Sequence, residues 1–260
     1  PNGRILELEC FVHGALCIAV SGSCYKSLFT ENHSANRGEC LQNCRREYTV
    51  TDDSNKQLKV VNNYIMSPAD LCTVDFVDKL VEAGIDVFKI EGRAKGADYV
   101  FEVTRAYREA LNAIEKNSYT FELRKELRGR LEKVYNRGFG DGYFLGQTLD
   151  DWSKQYGSKA TEKKFFVGNV KHFYSDISVA EILLEAGELN IGDEISVIGD
   201  TTGFFRQKIL EMQFEKNPVQ KAEKGSRIAI KVSEKVRVGD KVYVIQKASG
   251  EQEFTKTAWV

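Results

Sequence analysis

The six cysteines of this sequence are its clearest chemical feature. All of them lie within the first 72 of 260 residues, and five fall between residues 17 and 72. Buried free cysteines are common, but packing alone would not concentrate five thiols in so short a span. A secreted disulfide scaffold would spread its cysteines through a small, loop-rich chain. No secretion signal opens the sequence, so the crowding indicates a metal or redox site in a cytoplasmic protein.

The spacing of these thiols bears on which metal they would hold. Iron–sulfur clusters take cysteine thiolates, usually four. Structural zinc sites are more typical of paired Cys-x-x-Cys motifs, which this sequence lacks. The spacing therefore favours an iron–sulfur cluster, while zinc and a group of buried structural thiols remain alternatives. The candidate ligands are Cys17, Cys24, Cys40, Cys44 and Cys72.

Charged side chains offer further candidates. Lys89, Glu91 and Arg93 end a predicted strand, where alternation would turn all three to one side; TIM-type active sites are built at such ends, and a structural ion pair is the alternative. His13 could carry protons near Cys17 or be a structural histidine. Guanidinium groups bind carboxylate or phosphate oxygens in pairs, so nearby arginines could hold an anionic substrate or form a solvated turn. These arginines are Arg37, Arg45 and Arg46.

The first 160 residues must position these groups. They alternate strand-like and helix-like stretches, which predicts parallel βα units. The clearest helices cover Tyr99–Ile114 and Phe121–Tyr135, the first from its 3.6-residue apolar spacing. The other predicted elements are strands at Ile5–Val12 and Asp86–Ile90 and a helix that begins at Ser67-Pro68 and ends at Gly84. Two further strands, Tyr48–Val50 and Leu58–Val61, are predicted to form a hairpin around the turn at Asp52–Asn55.

The remaining chain has a different texture. From about residue 163, short alternating stretches are separated by Gly-Asp and Asn-Pro turns. This pattern predicts a small antiparallel β-barrel with a boundary between residues 156 and 163.

The overall charge limits the possible partners. The 37 basic and 38 acidic residues leave a formal net charge of −1, so contact with RNA would require a local patch instead of a chain-wide field. No apolar run is long enough for a transmembrane helix, and we expect no membrane partner.

Several of these motifs together resemble the peptidase U32 family. The segment from Glu9 to Cys17, continued to Gly22, Cys24 and Ser27, is similar to the family's cysteine motif, although Lys26 stands where an aliphatic residue is usual. The resemblance extends over nearly the whole chain. Further matches are Asn36-Arg37-Gly38 with Cys40, Ser67-Pro68 with Asp70-Leu71-Cys72, Lys89-Ile90-Glu91-Gly92-Arg93, and Tyr135-Asn136-Arg137-Gly138-Phe139.

The resemblance implies a fold and an activity. The fold would be α/β plus all-β: residues 1–160 as the C-terminal portion of a TIM-like (β/α) barrel, and residues 161–260 as a small antiparallel β-barrel. Well-understood relatives are oxygen-independent hydroxylases with a 4Fe-4S cluster, several of which modify RNA with prephenate as co-substrate. We therefore expect a hydroxylase of tRNA wobble uridine that binds tRNA and a small dicarboxylate.

The resemblance also implies roles for individual residues. The cluster ligands would be Cys17, Cys24, Cys40 and Cys72, with Cys44 as the rival for a place and Cys10 as a strand residue. From the residues themselves, the candidate catalytic group is His13, Lys89, Glu91 and Arg93, and the candidate substrate-binding group is Arg37, Arg45 and Arg137.

Two other functions remain open. A peptidase needs an activated nucleophile or a metal-bound water; the sequence has no His-Glu-x-x-His or Gly-x-Ser-x-Gly motif, and Cys17 with His13 is the only conceivable dyad. A non-catalytic binding or scaffold fragment is the second alternative. The N-terminal half of the barrel seen in the family is expected to be missing here or supplied by a partner subunit, so we expect the 260-residue chain alone to be inactive.

Overall fold

The computed structural model describes residues 6–20, 22–58, 66–146, 153 and 157–248. The protein is a mixed α/β structure, mostly β-strands with few helices. It divides into a first compact unit, Pro1–Lys95 with Glu102–Ala160, and a second, Gly96–Phe101 with Thr161–Val260. In the described part of the chain, no helix is long and apolar enough to cross a membrane.

The elements up to residue 140 include six strands and four α-helices among the described residues. The strands are β1 Glu9–Ala15, β2 Val50–Thr51, β3 Gln57–Leu58, β4 Asp70–Cys72, β5 Val87–Ile90 and β6 Phe139–Gly140. The α-helices are α1 Lys26–Glu31, α2 Val77–Glu82, α3 Ala97–Glu115 and α4 Phe121–Leu131, and short 3-10 helices lie at Ala35–Arg37 and Asn43–Arg45.

Four strands form the sheet of the first unit, in the order β5-β1-β4-β6. β1 pairs in parallel with β5, and β4 in parallel with β6, as the βα pattern predicts. The central pair, β1 with β4, is antiparallel, so the prediction of a parallel layer is wrong there. The chain leaves β1 and enters β4 at the same edge of the sheet, without a crossover helix that would carry it back.

The helix predicted from Ser67-Pro68 is wrong. This segment leads into β4, whose three residues are all buried, and α2 begins only at Val77. Ser67 was expected to cap a helix, but its hydroxyl oxygen instead accepts a hydrogen bond from Arg45 Nη1 at 3.0 Å. The predicted end is close to the observed one, because α2 stops at Glu82 and Gly84 adopts a left-handed φ of 80°.

The other local predictions agree with the structure more closely. β2 and β3 form the expected hairpin around residues 52–55, although residues 59–61 of the second predicted strand lie outside the described range. The helix predicted over 99–114 is α3, and Thr120 Oγ1 caps α4 by accepting the Leu123 N–H at 3.2 Å. α4 ends four residues earlier than predicted, and β1 runs three residues further than predicted.

The mixed pairing brings four chain segments to one edge of this sheet. The C-terminal ends of β1 and β5 and the N-terminal ends of β4 and β6 lie there, and we call this the site edge. Gly14, with φ +120°, allows β1 to approach β5 closely, since a Cβ at this position would lie 2.6 Å from the Glu91 carbonyl oxygen. The Glu91 N–H donates to the His13 carbonyl at 2.8 Å beside it.

The second unit is antiparallel throughout its described pairs, as predicted. Its main sheet has the order β11-β10-β16-β7-β8-β15-β12-β13, and β9 pairs with β14 separately. The strands are β7 Glu162–Tyr174, β8 Val179–Leu184, β9 Glu188–Asn190, β10 Glu194–Gly199, β11 Gly203–Lys208, β12 Met212–Phe214, β13 Asn217–Pro218, β14 Lys221–Glu223, β15 Arg227–Lys231 and β16 Lys241–Lys247.

One hydrophobic core holds this second unit together. It includes Phe205 from the edge strand β11 and Met212 from β12 near the opposite edge, as well as Ile182 and Val242 from the middle of the sheet. The sheet must therefore curve around a single interior. Backbone pairing does not close it into a complete barrel within residues 157–248.

The close approach at Gly14 gives a test of the sheet packing. We expect Gly14→Ala to destabilise the first unit by about 2–5 kcal/mol, because the new Cβ clashes with Glu91 and the backbone strain adds to the clash. Gly84→Ala is the matched control; its φ is +80° but nothing lies within 4 Å, so it should cost only about 1–2 kcal/mol of strain. Urea unfolding followed by the helical circular dichroism signal measures both, and equal effects would contradict the proposed crowding.

Candidate functional site

The segment between β1 and β4 carries four of the candidate ligands, and we call residues 16–45 the cysteine loop. Cys17 and Cys40 are exposed, Cys24 and Cys44 are half-buried, and all are free thiols. Burial raises the pKa of the Cys44 thiol, and the charges of Cys40, Cys17 and Cys24 raise it further. The other three thiols therefore lie within electrostatic range of Cys44.

Hydrogen bonds within the cysteine loop hold its parts together. Ser27 in α1 accepts the Leu41 N–H at 3.1 Å, and Thr30 accepts the Asn43 side-chain amide at 2.7 Å. The backbone N–H of Gln42 donates to Cys40 Sγ at 3.4 Å. Bonds of this last kind tune the potential of thiolate-held clusters.

Cys72 lies apart from this group, inside the sheet. It is fully buried on β4, its Cα partner across the sheet is His13, and its sulfur is 3.9 Å from the Tyr107 hydroxyl. Burial raises the pKa of its thiol to about 12. The charges of Cys17, Cys24 and Cys40 act on Cys44, and no described residues form a group of three or more His, Cys, Asp or Glu that could hold a metal ion. The predicted ligand set stays a prediction.

Arg45 connects the cysteine loop to the site edge. The residue is 9% exposed, and its guanidinium group donates to Ser67 Oγ at 3.0 Å, to the Pro68 carbonyl, and to the Leu16 carbonyl at 2.7 Å. Burial and, next, the nearby Arg137 charge lower its pKa. One predicted substrate-binding residue therefore uses its donors to join the end of β1 to the start of β4.

Arg137 forms a buried ion pair with Asp70. Its backbone N–H donates to Asp70 Oδ2 at 3.1 Å, and its Nη1 lies 3.4 Å from Asp70 Oδ1. Its Nη2 donates to Gln42 Oε1 in the cysteine loop at 2.8 Å. This second predicted substrate-binding residue is also engaged with the protein, and it links β6 to β4 and to the loop.

Lys95 completes the charged surroundings, although the sequence analysis did not select it. Its ammonium nitrogen lies 3.6 Å from the centre of the Tyr135 ring, and the Arg137 guanidinium carbon lies 5.2 Å from the same ring. Burial lowers the pKa of Lys95 to about 8; Arg137 and Arg45 lower it further, while Asp70 and Glu91 oppose the shift. The signal available in the sequence was its position two residues after Arg93.

The three charged residues predicted to act together at the end of β5, namely Lys89, Glu91 and Arg93, do not all lie in the same place. Lys89 pairs with Glu9 at 2.7 Å, with both side chains about half exposed. Glu91 Oε1 accepts the Arg93 N–H at 3.2 Å. The exposed Arg93 side chain reaches Gly38, where an added Cβ would lie 3.4 Å from Nη1. Only Glu91 and Arg93 therefore lie beside the cysteine loop or the cationic residues.

His13 and Arg37 occupy opposite environments. His13 is 1% exposed, lies 3.4 Å from the Tyr107 hydroxyl through Nδ1, and packs against the rings of Tyr107 and Phe139. Burial, followed by the Lys95 charge, lowers its pKa to about 3, so the ring is neutral near pH 7, as expected for a core histidine. Arg37 is exposed at the end of a 3-10 helix.

Comparison with known proteins gives consistent family matches. The model of peptidase family U32 matches residues 3–154. The chain is 51% identical over 248 residues to "Collagenase" of Porphyromonas gingivalis strain W83, covering 95% of this chain and 60% of that protein. It is 34% identical over 200 residues to "tRNA hydroxylation protein P1" of Bacillus subtilis, covering 75% of this chain and 47% of the relative.

A third relative extends the range of named activities. The chain is 33% identical over 207 residues to "23S rRNA 5-hydroxycytidine C2501 synthase" of Escherichia coli, covering 74% of this chain and 30% of that protein. The chain therefore spans about 60% of the length of the Porphyromonas relative and less of the two RNA-modifying relatives.

The contacts of Arg45 predict a large effect of its removal. We expect Arg45→Met to destabilise the first unit by about 3–5 kcal/mol, because it leaves buried acceptors without a donor at the site edge. Its neighbour Arg46 is 56% exposed and pairs only at the surface with Glu31 at 3.1 Å, so Arg46→Met should cost less than about 1 kcal/mol. Urea unfolding measures the difference, and similar losses for the two variants would contradict the buried role.

Proposed function

Because the chain belongs to peptidase family U32, we propose that it is the cluster-binding part of an oxygen-independent RNA hydroxylase. The observation that carries the proposal is the cysteine loop, in which Cys17, Cys24 and Cys40 lie within electrostatic range of Cys44. Free thiols, three of them beside a half-buried fourth, are the donors that an iron–sulfur cluster requires. The proposed location is the cytoplasm.

The surroundings of the loop fit a cluster in two respects. A cluster with four thiolate ligands carries negative charge, and Arg45 places a buried positive charge next to Cys44. The Gln42 N–H already donates to Cys40 Sγ. When bound, such a cluster supplies one-electron chemistry. The residues of the chain would hold it, exclude water on the side of the sheet, and position an anionic second substrate.

The fourth ligand is where the resemblance and the geometry differ. The resemblance supplies Cys72, which would have to leave its buried contact with Tyr107. The electrostatic effect of Cys40, Cys17 and Cys24 on Cys44 supports Cys44 instead. We propose Cys17, Cys24 and Cys40 as ligands in either case. Separate substitutions of Cys72 and Cys44 decide which of these two is the fourth ligand.

The names of two relatives support RNA as the substrate class. The Bacillus protein is named for tRNA hydroxylation and the Escherichia protein for hydroxycytidine synthesis in 23S rRNA. Our specific proposal is hydroxylation of tRNA wobble uridine, with prephenate as the co-substrate. A TIM-like barrel, of which this chain would supply part, and a following small β-barrel belong to the same proposal.

A peptidase is the second candidate, because the relative at 51% identity is named a collagenase. The chemistry of the described residues argues against it. Cys17 would need a basic partner, and His13 is buried against Tyr107 with a pKa of about 3. Such a ring cannot take a proton from a thiol near neutral pH, so the hydroxylase is the better supported function.

The first test concerns the metal. We expect protein purified without oxygen to be brown and to contain about four iron and four sulfide ions per chain. Cys24→Ser should abolish binding, whereas Cys10→Ser, on β1 outside the loop, should keep it. Loss in Cys72→Ser but not in Cys44→Ser assigns Cys72 as the fourth ligand, and the reverse assigns Cys44, provided that circular dichroism shows folded protein. Stoichiometric zinc without iron would remove the cluster from the proposal.

The second test concerns the reaction in the full-length protein. A strain that lacks the hydroxylase is complemented, and its tRNA nucleosides are analysed by mass spectrometry. We expect Cys24→Ala to lose both iron and modification, and Arg93→Ala to lose modification with normal iron content, because Arg93 lies at Gly38 in the cysteine loop. Lys133→Ala, on an exposed side chain, should keep full activity. Restored tRNA modification by the Cys24→Ala variant would contradict the proposed hydroxylase function. Gelatin cleavage that depends on Cys17 would contradict it as well.

A further inference from the structure

Three neighbouring strands of the second unit share a face that points away from its core. On β8 and β15, alternate residues such as Ile182 and Ile230 belong to the core, so the residues between them point outward. The pairing of β7, β8 and β15 arranges the outward residues in three rows, which we call the outer face. The rows are Tyr174 with Val179 and Lys231, His172 with Glu181 and Ala229, and Asn169 with Leu183 and Arg227.

A β-bulge in β7 places two aromatic side chains on the outer face. Without it, His172 and Tyr174 would point to the same side as Val170, which is fully buried in the core. The register of β7 with β8 shifts between Val170 and His172. Phe173 therefore packs against the core instead, and both neighbouring rings are exposed. Bulges commonly redirect side chains in this way at binding sites.

The two rings form a defined pair. Their centroids are 4.4 Å apart with an interplanar angle of 65°, and the Tyr174 hydroxyl donates to Glu181 Oε2 at 3.3 Å. Tyr174 is nevertheless 44% exposed. Exposed aromatic rings on a sheet are surfaces on which unpaired bases stack, so this pair is suited to a base.

The outer face also carries a surplus of positive charge. Its charged residues are Arg227, Lys231 and the single carboxylate Glu181. Arg227 Nη1 pairs with Glu181 Oε1 at 3.2 Å while its side chain stays 66% exposed, and Lys231 is exposed. Lys231 lies two strands from Tyr174, which is about 10 Å. A base on the tyrosine and a phosphate of the same strand can therefore be bound together.

We propose that the outer face binds single-stranded RNA, with a base stacked on Tyr174 beside His172 and phosphates bound by Lys231 and Arg227. The choice of RNA rests on the proposed function, since the rings and cations alone require only a single-stranded nucleic acid. The inference adds to that function a contact surface in the second unit, separate from the cysteine loop.

Stacking is tested first, with the 260-residue chain and a short labelled oligouridine in fluorescence anisotropy. We expect wild-type protein to bind, and Tyr174→Ala to weaken binding at least about fivefold because one stacked base is lost. Tyr174→Phe keeps the ring and should restore the wild-type affinity. Tyr143→Ala removes an exposed tyrosine of the first unit and is the matched control, which should bind like wild type.

The phosphate contact is tested through the salt dependence of the same binding. Lys231→Gln should lower the slope of log K against log salt by about 0.7, the effect of one phosphate contact in a single strand. Lys241→Gln, an exposed lysine of β16, should leave the slope unchanged. An unchanged slope in Lys231→Gln, or an equal change in both variants, overturns the assignment.

Crosslinking locates the base should Tyr174→Ala fail to fold. Oligouridine containing 5-iodouridine is irradiated with wild-type protein, and the modified peptide is identified by mass spectrometry. A crosslink at Tyr174 or His172 supports the proposal, and crosslinks confined to the first unit overturn it. Equal affinity for oligouridine annealed to oligoadenosine also overturns it, because paired bases cannot stack on the protein.

The outcomes separate this inference from the proposed function. RNA binding that depends on Tyr174, in protein unable to assemble a cluster, keeps the outer face and removes the hydroxylase. Normal iron and sulfide content in protein that binds no oligouridine overturns the outer face alone. Binding of gelatin peptides that is lost in Tyr174→Ala, without any binding of oligouridine, overturns it as well and assigns the surface to a polypeptide.

Discussion

The buried pair of Asp70 and Arg137 is the contact through which the parts of the site edge are held in register. The carboxylate lies at the start of β4, the guanidinium group just before β6, and the other end of that group holds Gln42 in the cysteine loop. Replacing a buried ion pair by apolar groups can leave a protein as stable as before, whereas removing one partner strands a charge. We infer that its value here lies in specificity, because Arg137 can satisfy Asp70 and Gln42 together only when three segments have the correct arrangement.

The sequence was informative where a pattern is local. The apolar spacing in residues 99–114 identified α3, and the turns after residue 163 identified antiparallel strands. β4 was missed because its three buried residues follow Ser67-Pro68, a pair equally typical of a helix start, and only the tertiary contact from Arg45 shows that the hydroxyl is used elsewhere. Local preference was overridden by packing at that point.

The same distinction applies to the candidate site. Spacing suggested the thiols as a group, but it could not show that Cys72 faces Tyr107 within the sheet while the charges of Cys17, Cys24 and Cys40 act on Cys44. Lys95 was overlooked because loop residues have no periodicity that assigns them a direction. Arg45 and Arg137 were found by residue type, yet their donors are taken by protein oxygens, which only the folded structure reveals.

The antiparallel pairing of β1 with β4 also has a consequence for the order of assembly. All four thiols of the cysteine loop lie between these neighbouring strands, whereas the charged contacts at the site edge need Arg137, about 90 residues further along the chain than Arg45. Contacts between residues distant in sequence form late because closing a long loop costs more entropy. The thiols can therefore gather early in folding, and the charges beside them are completed last. Metal delivery to a nascent or partly folded chain is compatible with this order, and a ligand that requires Arg137 would recognise only the finished first unit.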